Sequence, residues 1–525
     1  MSVNSAAFLL FTAAAVTLYY LVPKRRRYLV LLAASAFFYL SYSVKAACYL
    51  LFTVAATYAA ALWLAAMHRR ERTEAAREGA DAAALRRRWR RNRSRVLAGV
   101  LLLNFATLAV FKYLDSWLGT AGLVLSALGW PVSFRPLHLL LPLGISFYIF
   151  QTSGYLIDVC RGKTEPERHF LKYALFVTYF PQMIQGPINR FAQLRPQLID
   201  GNDFSADELK YGIQRMLWGM VKKLLIADTL APAVTEVFDN YTQYSGAVIL
   251  LAVMLYCLQL YCDFAGGTDL VCGVSQLFGV NMAENFRRPY FARTIEDFWQ
   301  RWHISLGEWM KDYVFYPMAL SKPLNRFAKK LSAGMGRRAG RLFVPCVSTL
   351  VVFLLVGVWQ GPGLSNIAYG LWNGGLMSLA MLTKPLTAEL RKRFHVTDEL
   401  RWFHGFQVLR TFLLVVVGRY FSRANQLLQA LGMLKRTVLA FGWKSLGAAT
   451  FTCFGLTPLH WGLVLSGTAA LFAVSLLQER GIPIRKTLEK QHWAVQFAVL
   501  FACVLVVYAF LSGNYVPIAY VYENV

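Results

Sequence analysis

The stretch Asp297-Phe-Trp-Gln-Arg-Trp-His-Ile-Ser-Leu-Gly-Glu-Trp-Met-Lys-Asp312 sets one imidazole, that of His303, among tryptophans and charged residues in an otherwise very apolar chain. An imidazole titrates near neutrality and can take a hydroxyl proton while a carbonyl is attacked. Ionisable residues are rare near lipid unless function retains them. If the block is helical, at about 100° per residue, Asp297, Arg301, Ser305, Glu308 and Asp312 share one stripe. Trp299, Trp302, Leu306, Trp309 and Tyr313 take the opposite side, and His303 falls at its edge beside Trp299 and Met310, pointing into protein or lipid interface. Taken alone, such a histidine is more often a satisfied core residue than a reactive group. Trp299, Trp302 and Trp309 are most simply interfacial anchors. Asp297 and Arg301, four apart, are placed to pair.

A second tier of polar residues lies upstream. Asp263 and Asp269 sit in apolar sequence with Gly266 and Gly267 between them. Carboxylates at membrane depth are costly, so each needs a partner or a wet lining. Asn285, Arg288 and Tyr290 form a polar cluster able to touch the polar part of a donor or to pack a loop. The other seven histidines lie in or beside loops or at span ends. Eight cysteines are scattered with no Cys-x-x-Cys pair, which disfavours a disulfide frame or a zinc site. The chain has no phosphate-binding Gly-x-x-x-x-Gly-Lys loop, Gly-x-Ser-x-Gly elbow or His-Glu-x-x-His, which disfavours ATPases, serine hydrolases and zinc proteases.

These residues must be positioned by membrane helices. Hydrophobic residues make up 57% of the 525, and the mean hydropathy is +0.41. Apolar runs long enough to span, or nearly span, a bilayer cover 6–22, 29–42, 48–66, 96–114, 139–157, 247–259, 343–359, 367–381, 408–417, 461–477 and 493–511. They predict one polytopic all-α membrane domain of roughly 9 to 12 spans, the shorter ones tilted, re-entrant or buried. The first run lacks a basic n-region and a cleavage site, so it is expected to be a retained helix. Residues 1–140 hold plain spans and a basic loop, 141–375 a core rich in aromatic, polar, proline and glycine residues, and 376–525 further spans. Breaks at depth must have their backbone re-satisfied inside protein or a wet cavity, which suggests a funnel or re-entrant region.

The net charge of +27 is concentrated at 24–27, 69–95, 329–341 and 391–393, beside spans. Read as short loops, these clusters mark the cytoplasmic face and meet anionic lipid, and they do not point to nucleic acid.

Pro142-Leu-Gly-Ile-Ser-Phe, Phe180-Pro-Gln with Gly186-Pro-Ile, Tyr261-Cys-Asp-Phe-Ala-Gly, Glu284-Asn-Phe with Pro289-Tyr, and Asp297-Phe-Trp-Gln-Arg-Trp-His-Ile-Ser-Leu occur in this order. Together they resemble the membrane-bound O-acyltransferase family, in its bacterial alginate O-acetylation branch. The branch that transfers D-alanine to teichoic acid is the nearest rival. The terminal Ile518-Ala-Tyr-Val-Tyr522 is weakly similar to the aromatic tail of the first branch.

The resemblance implies a bowl of helices around a central tunnel in the bacterial cytoplasmic membrane. It implies no bound cofactor, a cytoplasmic thioester (acetyl-CoA or acyl carrier protein) as co-substrate, and a separate extracytoplasmic acyltransferase as partner. Trp299, Trp302, Asn285, Arg288, Tyr290, Asp263, Asp269 and Asn373 become candidates for lining the tunnel or binding substrate, and Arg86–Arg95 for docking a carrier protein or coenzyme phosphates. It also implies two catalytic histidines, one at His303 and one in a downstream Trp-His-Gly. Here the second motif reads Trp359-Gln-Gly361, and a further His-Gly position reads Asn373-Gly374.

A carboxamide orients groups by hydrogen bonding but has no usable basicity. General-base catalysis typically contributes about 10²–10⁴-fold, so Gln360 predicts a slow or inactive enzyme. An engineered substitution, a natural inactive or rewired homologue, and His303 acting alone all fit that residue. From another class, a scaffold or channel that kept the architecture and lost the chemistry also fits.

Overall fold

A computed structural model of the chain describes residues 3, 5–77, 81–130, 132–398, 400–447, 454–512 and 518–520. Among these residues the regular structure is helical, apart from one isolated antiparallel bridge between Phe286 and Trp302. The expected all-α class therefore holds.

Among the described residues, six helices are long and apolar enough to cross a membrane: Val44–Ala75, Ala82–Ala127, Gly246–Leu277, Arg337–Gln360, Pro458–Glu479 and Trp493–Ser512. Ala6–Leu21 is a shorter apolar helix. The apolar runs read from sequence fall on helices, with bounds that shift where polar residues continue or cut them. The run predicted over 139–157 becomes helical only at Ile145. Residues 367–381 and 408–417 lie inside the longer Leu364–Arg393 and Arg401–Arg423.

The arginine-rich segment expected to be a loop is largely helical. Arg69 to Ala75 continues one helix, and Arg86 to Arg95 opens the next, behind Asp81, whose carboxylate accepts from the backbone N–H groups of Ala83 and Ala84. Arginine, alanine and glutamate are strong helix formers whose charged heads stay in water, so nothing ends the helix where the apolar run ends. Arg93 pairs with Glu71, and Trp89 donates from Nε1 to Glu74 at 3.0 Å, joining the two extensions.

The fold divides into two compact units, whose described residues fall within 1–216 with 270–283 and within 217–269 with 284–520. In the first, Gly144 adopts φ +68, and a Cβ there would lie 2.1 Å from the carbonyl oxygen of Met183. Only glycine allows both the left-handed turn and this approach. The breaks in this unit are re-satisfied internally. Gln182 accepts from Gln151 at 2.8 Å and donates to the Phe176 carbonyl, while Asn189 accepts from Ala283 N–H at 3.0 Å.

In the second unit Arg337–Gln360 and Leu364–Arg393 form a tight antiparallel pair. A Cβ on Gly370 would lie 2.4 Å from the Phe353 carbonyl, and one on Gly357 2.4 Å from that of Asn366. These glycines set the close approach that carries Trp359 and Gln360 to the end of their helix.

Candidate active site

The block around His303 is two short helices and a break. Thr294 caps the first, its hydroxyl accepting from Asp297 N–H at 3.1 Å, and the helix runs Ile295–Arg301. Trp302 is extended and His303 left-handed, at φ 47 and ψ 53. A second helix, Ile304–Met310, passes into a π-helical turn at Lys311–Phe315. The single helical phase expected for this block is therefore overturned. Residues 285–287 interrupt it by pairing alongside: Arg287 N–H donates to the Arg301 carbonyl at 2.9 Å, and Ile304 N–H to that of Asn285 at 3.0 Å. That pairing requires Trp302 to be extended, and the chain must then turn at a residue tolerant of positive φ. Histidine, with asparagine and aspartate, is among the non-glycine residues enriched there.

His303 is buried, with 3% of its surface exposed. The Phe264 ring meets it edge-on at 4.8 Å between centroids, and Trp359 lies 6.0 Å away. Its Nδ1 is 3.1 Å from Oδ1 of Asn285, which is also fully buried. Burial pushes the imidazole pKa down to about 3, so the ring is neutral at physiological pH.

Trp302 and Trp309 are buried, which overturns the reading of these two as interfacial anchors, and Trp299 is half-buried. Trp302 stacks on Phe298 at 5.7 Å, meets Phe286 edge-on at 5.1 Å, and lies under the buried guanidinium of Arg419 at 4.7 Å. Arg419 also donates to the Tyr369 hydroxyl at 3.1 Å. Trp299 donates to Asn373 Oδ1 at 3.3 Å, and the Asn373 amide nitrogen donates to the Tyr369 carbonyl at 2.8 Å. Asn373 thus braces the tryptophan layer under His303.

Tyr290 packs near the same layer and donates to the Cys257 carbonyl at 2.5 Å. Arg288, like His303, is left-handed, and it pairs with Glu479 at 2.6 Å. Arg301 bridges Asp297 at 2.6 Å and Glu479 at 2.8 Å, so the expected Asp297–Arg301 pair is one side of a larger network. Desolvation lowers the Arg301 pKa less than these two carboxylates raise it, and the net direction is up.

Asp263 and Asp269 have partners that sequence reasoning missed. Lys223 Nζ lies 2.7 Å from Asp263 and 2.8 Å from Asp228, and Lys222 pairs with Asp269. Both lysines are buried in a π-helical turn, Lys222–Asp228. Burial pulls the Lys223 pKa down, but the two carboxylates outweigh it and hold the ammonium above its ordinary value. The ring of Tyr520, from the aromatic tail, packs 4.4 Å from Lys223 Nζ. This ion cluster borders the histidine through Phe264, the residue after Asp263.

The signal for the lysines was present: an ionisable pair in Met220-Val-Lys-Lys-Leu-Leu-Ile breaks the same rule as the two aspartates. Arg419, in Leu413-Leu-Val-Val-Val-Gly-Arg, carries that signal as well. Glu479, at a span end, carries none.

Three of the motifs of the resemblance, those carrying Phe264, Asn285 and His303 itself, meet at one buried imidazole, and the chain matches known proteins over most of its length. A probable alginate O-acetylase AlgI of Pseudomonas syringae pv. tomato is 32% identical over 386 residues, 72% of this chain and 67% of that protein. The chain belongs to the membrane-bound O-acyltransferase family. The model of that family matches residues 166–333, which include His303 and end before Gln360. The peptidoglycan O-acetyltransferase of Helicobacter pylori is 32% identical over 64% of this chain and 63% of its own. The teichoic acid D-alanyltransferase of Bacillus subtilis is 28% identical over 55% of this chain and 71% of its own. As a family member with several membrane-length apolar helices, this chain is a multi-pass membrane acyltransferase.

Proposed function

We propose that this acyltransferase moves an acetyl group from a cytoplasmic thioester, acetyl-CoA or an acylated carrier protein, across the bacterial cytoplasmic membrane toward a cell-envelope polysaccharide. A separate extracytoplasmic transferase completes delivery. The acetyl reading is favoured over D-alanyl because the O-acetylating relatives are more similar, 32% against 28%.

His303 takes the proton of the attacking hydroxyl as the new C–O bond forms. The C–S bond then breaks, and the same proton passes to the departing sulfur. The observation that carries this reading is the contact of His303 with Trp359 at 6.0 Å. Two motifs far apart in sequence meet there, and residue 360 follows at the end of its helix. Gln360 stands as a hydrogen-bonding group where an imidazole would add proton transfer. The enzyme as written therefore works through His303 and is slow.

The test is label transfer by the full chain in liposomes together with its extracytoplasmic partner transferase, supplied with radiolabelled acetyl-CoA or acetylated carrier protein and a polysaccharide acceptor. The natural chain should transfer label, His303→Asn should abolish transfer, and Gln360→His should raise it by on the order of 10²-fold. Label reaching neither protein nor glycan from either donor would defeat the reading. Equal turnover with Gln and His at 360 would remove that residue from the mechanism.

A further inference from the structure

The strongest unassigned geometry concerns which nitrogen of His303 can act. Oδ1 of Asn285 faces three donors: the backbone N–H of Ser305 at 3.1 Å, the Ser305 hydroxyl at 3.0 Å, and Nδ1 of His303 at 3.1 Å. The backbone N–H can only donate, so it fixes which end of the amide is oxygen: the flipped amide would set an NH₂ against an N–H. With the oxygen in that place, Nδ1 of His303 must carry the hydrogen. A neutral imidazole has one N–H, so the lone pair sits on Nε2.

The amide is itself held. Asn285 is fully buried, its carbonyl accepts from Ile304 N–H at 3.0 Å, and it lies next to the Phe286–Trp302 bridge. Its Nδ2 hydrogens have no hydrogen-bond acceptor among the described residues. Leaving a buried amide nitrogen unsatisfied costs about 1–3 kcal/mol. The contacts of this side chain among the described residues thus run through its oxygen.

We infer that Asn285 is a positioning residue that locks His303 in the Nδ1–H tautomer, making Nε2 the nitrogen that takes the acceptor's proton. This rests on the reading of His303 as the base. The sequence offers Asn285 either for the donor's polar part or for loop packing; its amide oxygen is turned to the imidazole. The choice of an amide over a carboxylate has a chemical consequence. An aspartate would hold the same tautomer but stabilise the imidazolium and raise the basicity of the ring. The amide orients the ring and leaves it neutral.

The test uses the full chain labelled with ¹⁵N-histidine. The His303 resonances are assigned by difference from His303→Asn, and nitrogen shifts distinguish the tautomers. The natural chain should show Nδ1–H at this residue. Ser305→Ala keeps the backbone N–H that orients the amide and should keep the tautomer. Asn285→Leu should lose it, giving a mixture or Nε2–H, and should lower transfer by on the order of 10²-fold or more. Asn285→Asp restores the acceptor, so it should keep the tautomer and move the acid limb of the rate profile to higher pH. That variant keeps the inference testable if the leucine variant does not fold. An Nε2–H signal in the natural chain, or an unchanged tautomer in Asn285→Leu, overturns the assignment. If His303→Asn transfers label at the natural rate, the reading of His303 as base fails instead, while the tautomer result stands on its own.

Discussion

His303 must be uncharged to accept a proton, and its burial decides the pH at which it is. With the folded pKa pushed down to about 3, a rate carried by His303 as the proposed base should be flat across the neutral range and down to about pH 5. It should fall only as the pH approaches the folded value, and initial rates measured across that range check it. An acid limb near 6.5, the ordinary value for histidine, would mean that the imidazole is solvated in the working enzyme. The same shift acts on stability. The folded pKa lies below the unfolded one, so the contribution is complete above about pH 6.5 and is lost as the pH falls toward 3. At residue 360 a second expectation belongs to this scale. Substituting Gln360→His should raise transfer and add a second titrating group to the profile. The sequence singles out positions 303 and 360 through the motifs that carry the family resemblance, and the structure brings His303 near Trp359, the residue before Gln360. The contact of Asn285 with His303 was not legible, because it depends on which atom of an amide faces a backbone N–H twenty residues away.

At the scale of elements, the helix pair leading to Gln360 depends on glycine. A Cβ on Gly370 would stand 2.4 Å from the backbone oxygen of Phe353, whereas one on Gly375 meets nothing within 4 Å. Gly370→Ala should therefore destabilise by about 1–3 kcal/mol. Gly375→Ala should be neutral or stabilising by up to about 1 kcal/mol. Unfolding midpoints of the two variants decide it, and equal loss at both would deny the close approach.

The π-helical turn makes a comparable case. Lys223→Met leaves Asp228 and Asp263 buried without their lysine and should cost about 3–5 kcal/mol. Changing Lys223→Met together with Asp228→Asn and Asp263→Asn should cost less, because no carboxylate is then stranded. Apolar periodicity revealed the helices but not the break at His303, because a bridge to residues 285–287 is a non-local demand. The lysine–aspartate cluster escaped for a related reason: the pairs Lys223–Asp263 and Lys222–Asp269 join residues 40 and 47 positions apart, and each looks costly until the other is found.

At the scale of the whole molecule, the class and most helices were readable because long apolar runs have few other solutions in lipid. The ends of those helices were not, because arginine-rich sequence resembles a loop in composition while favouring helix in propensity. Val44–Ala75 and Ala82–Ala127 have 32 and 46 residues. At about 1.5 Å per residue these are about 48 and 69 Å, well beyond a hydrocarbon core of about 30 Å. Their arginine ends should stand in the cytoplasm as a helical hairpin. A cysteine placed at Ala83, at the exposed start of the second helix, should react with an impermeant maleimide in inside-out vesicles and not in intact cells. Labelling from outside would reverse the orientation.

The left-handed turn at His303 also bears on how this gene can decay. Histidine codons are one base from those of glutamine, asparagine and aspartate, so all three are readily reached. At position 360 the backbone is helical, and glutamine, a good helix former, fits without strain. At position 303 φ is positive, and of the three only asparagine and aspartate settle there comfortably. Degenerate copies should therefore accumulate Trp-Gln-Gly at the second motif freely. At the first they should pass through asparagine or aspartate before glutamine, so the two positions would record different histories of lost chemistry.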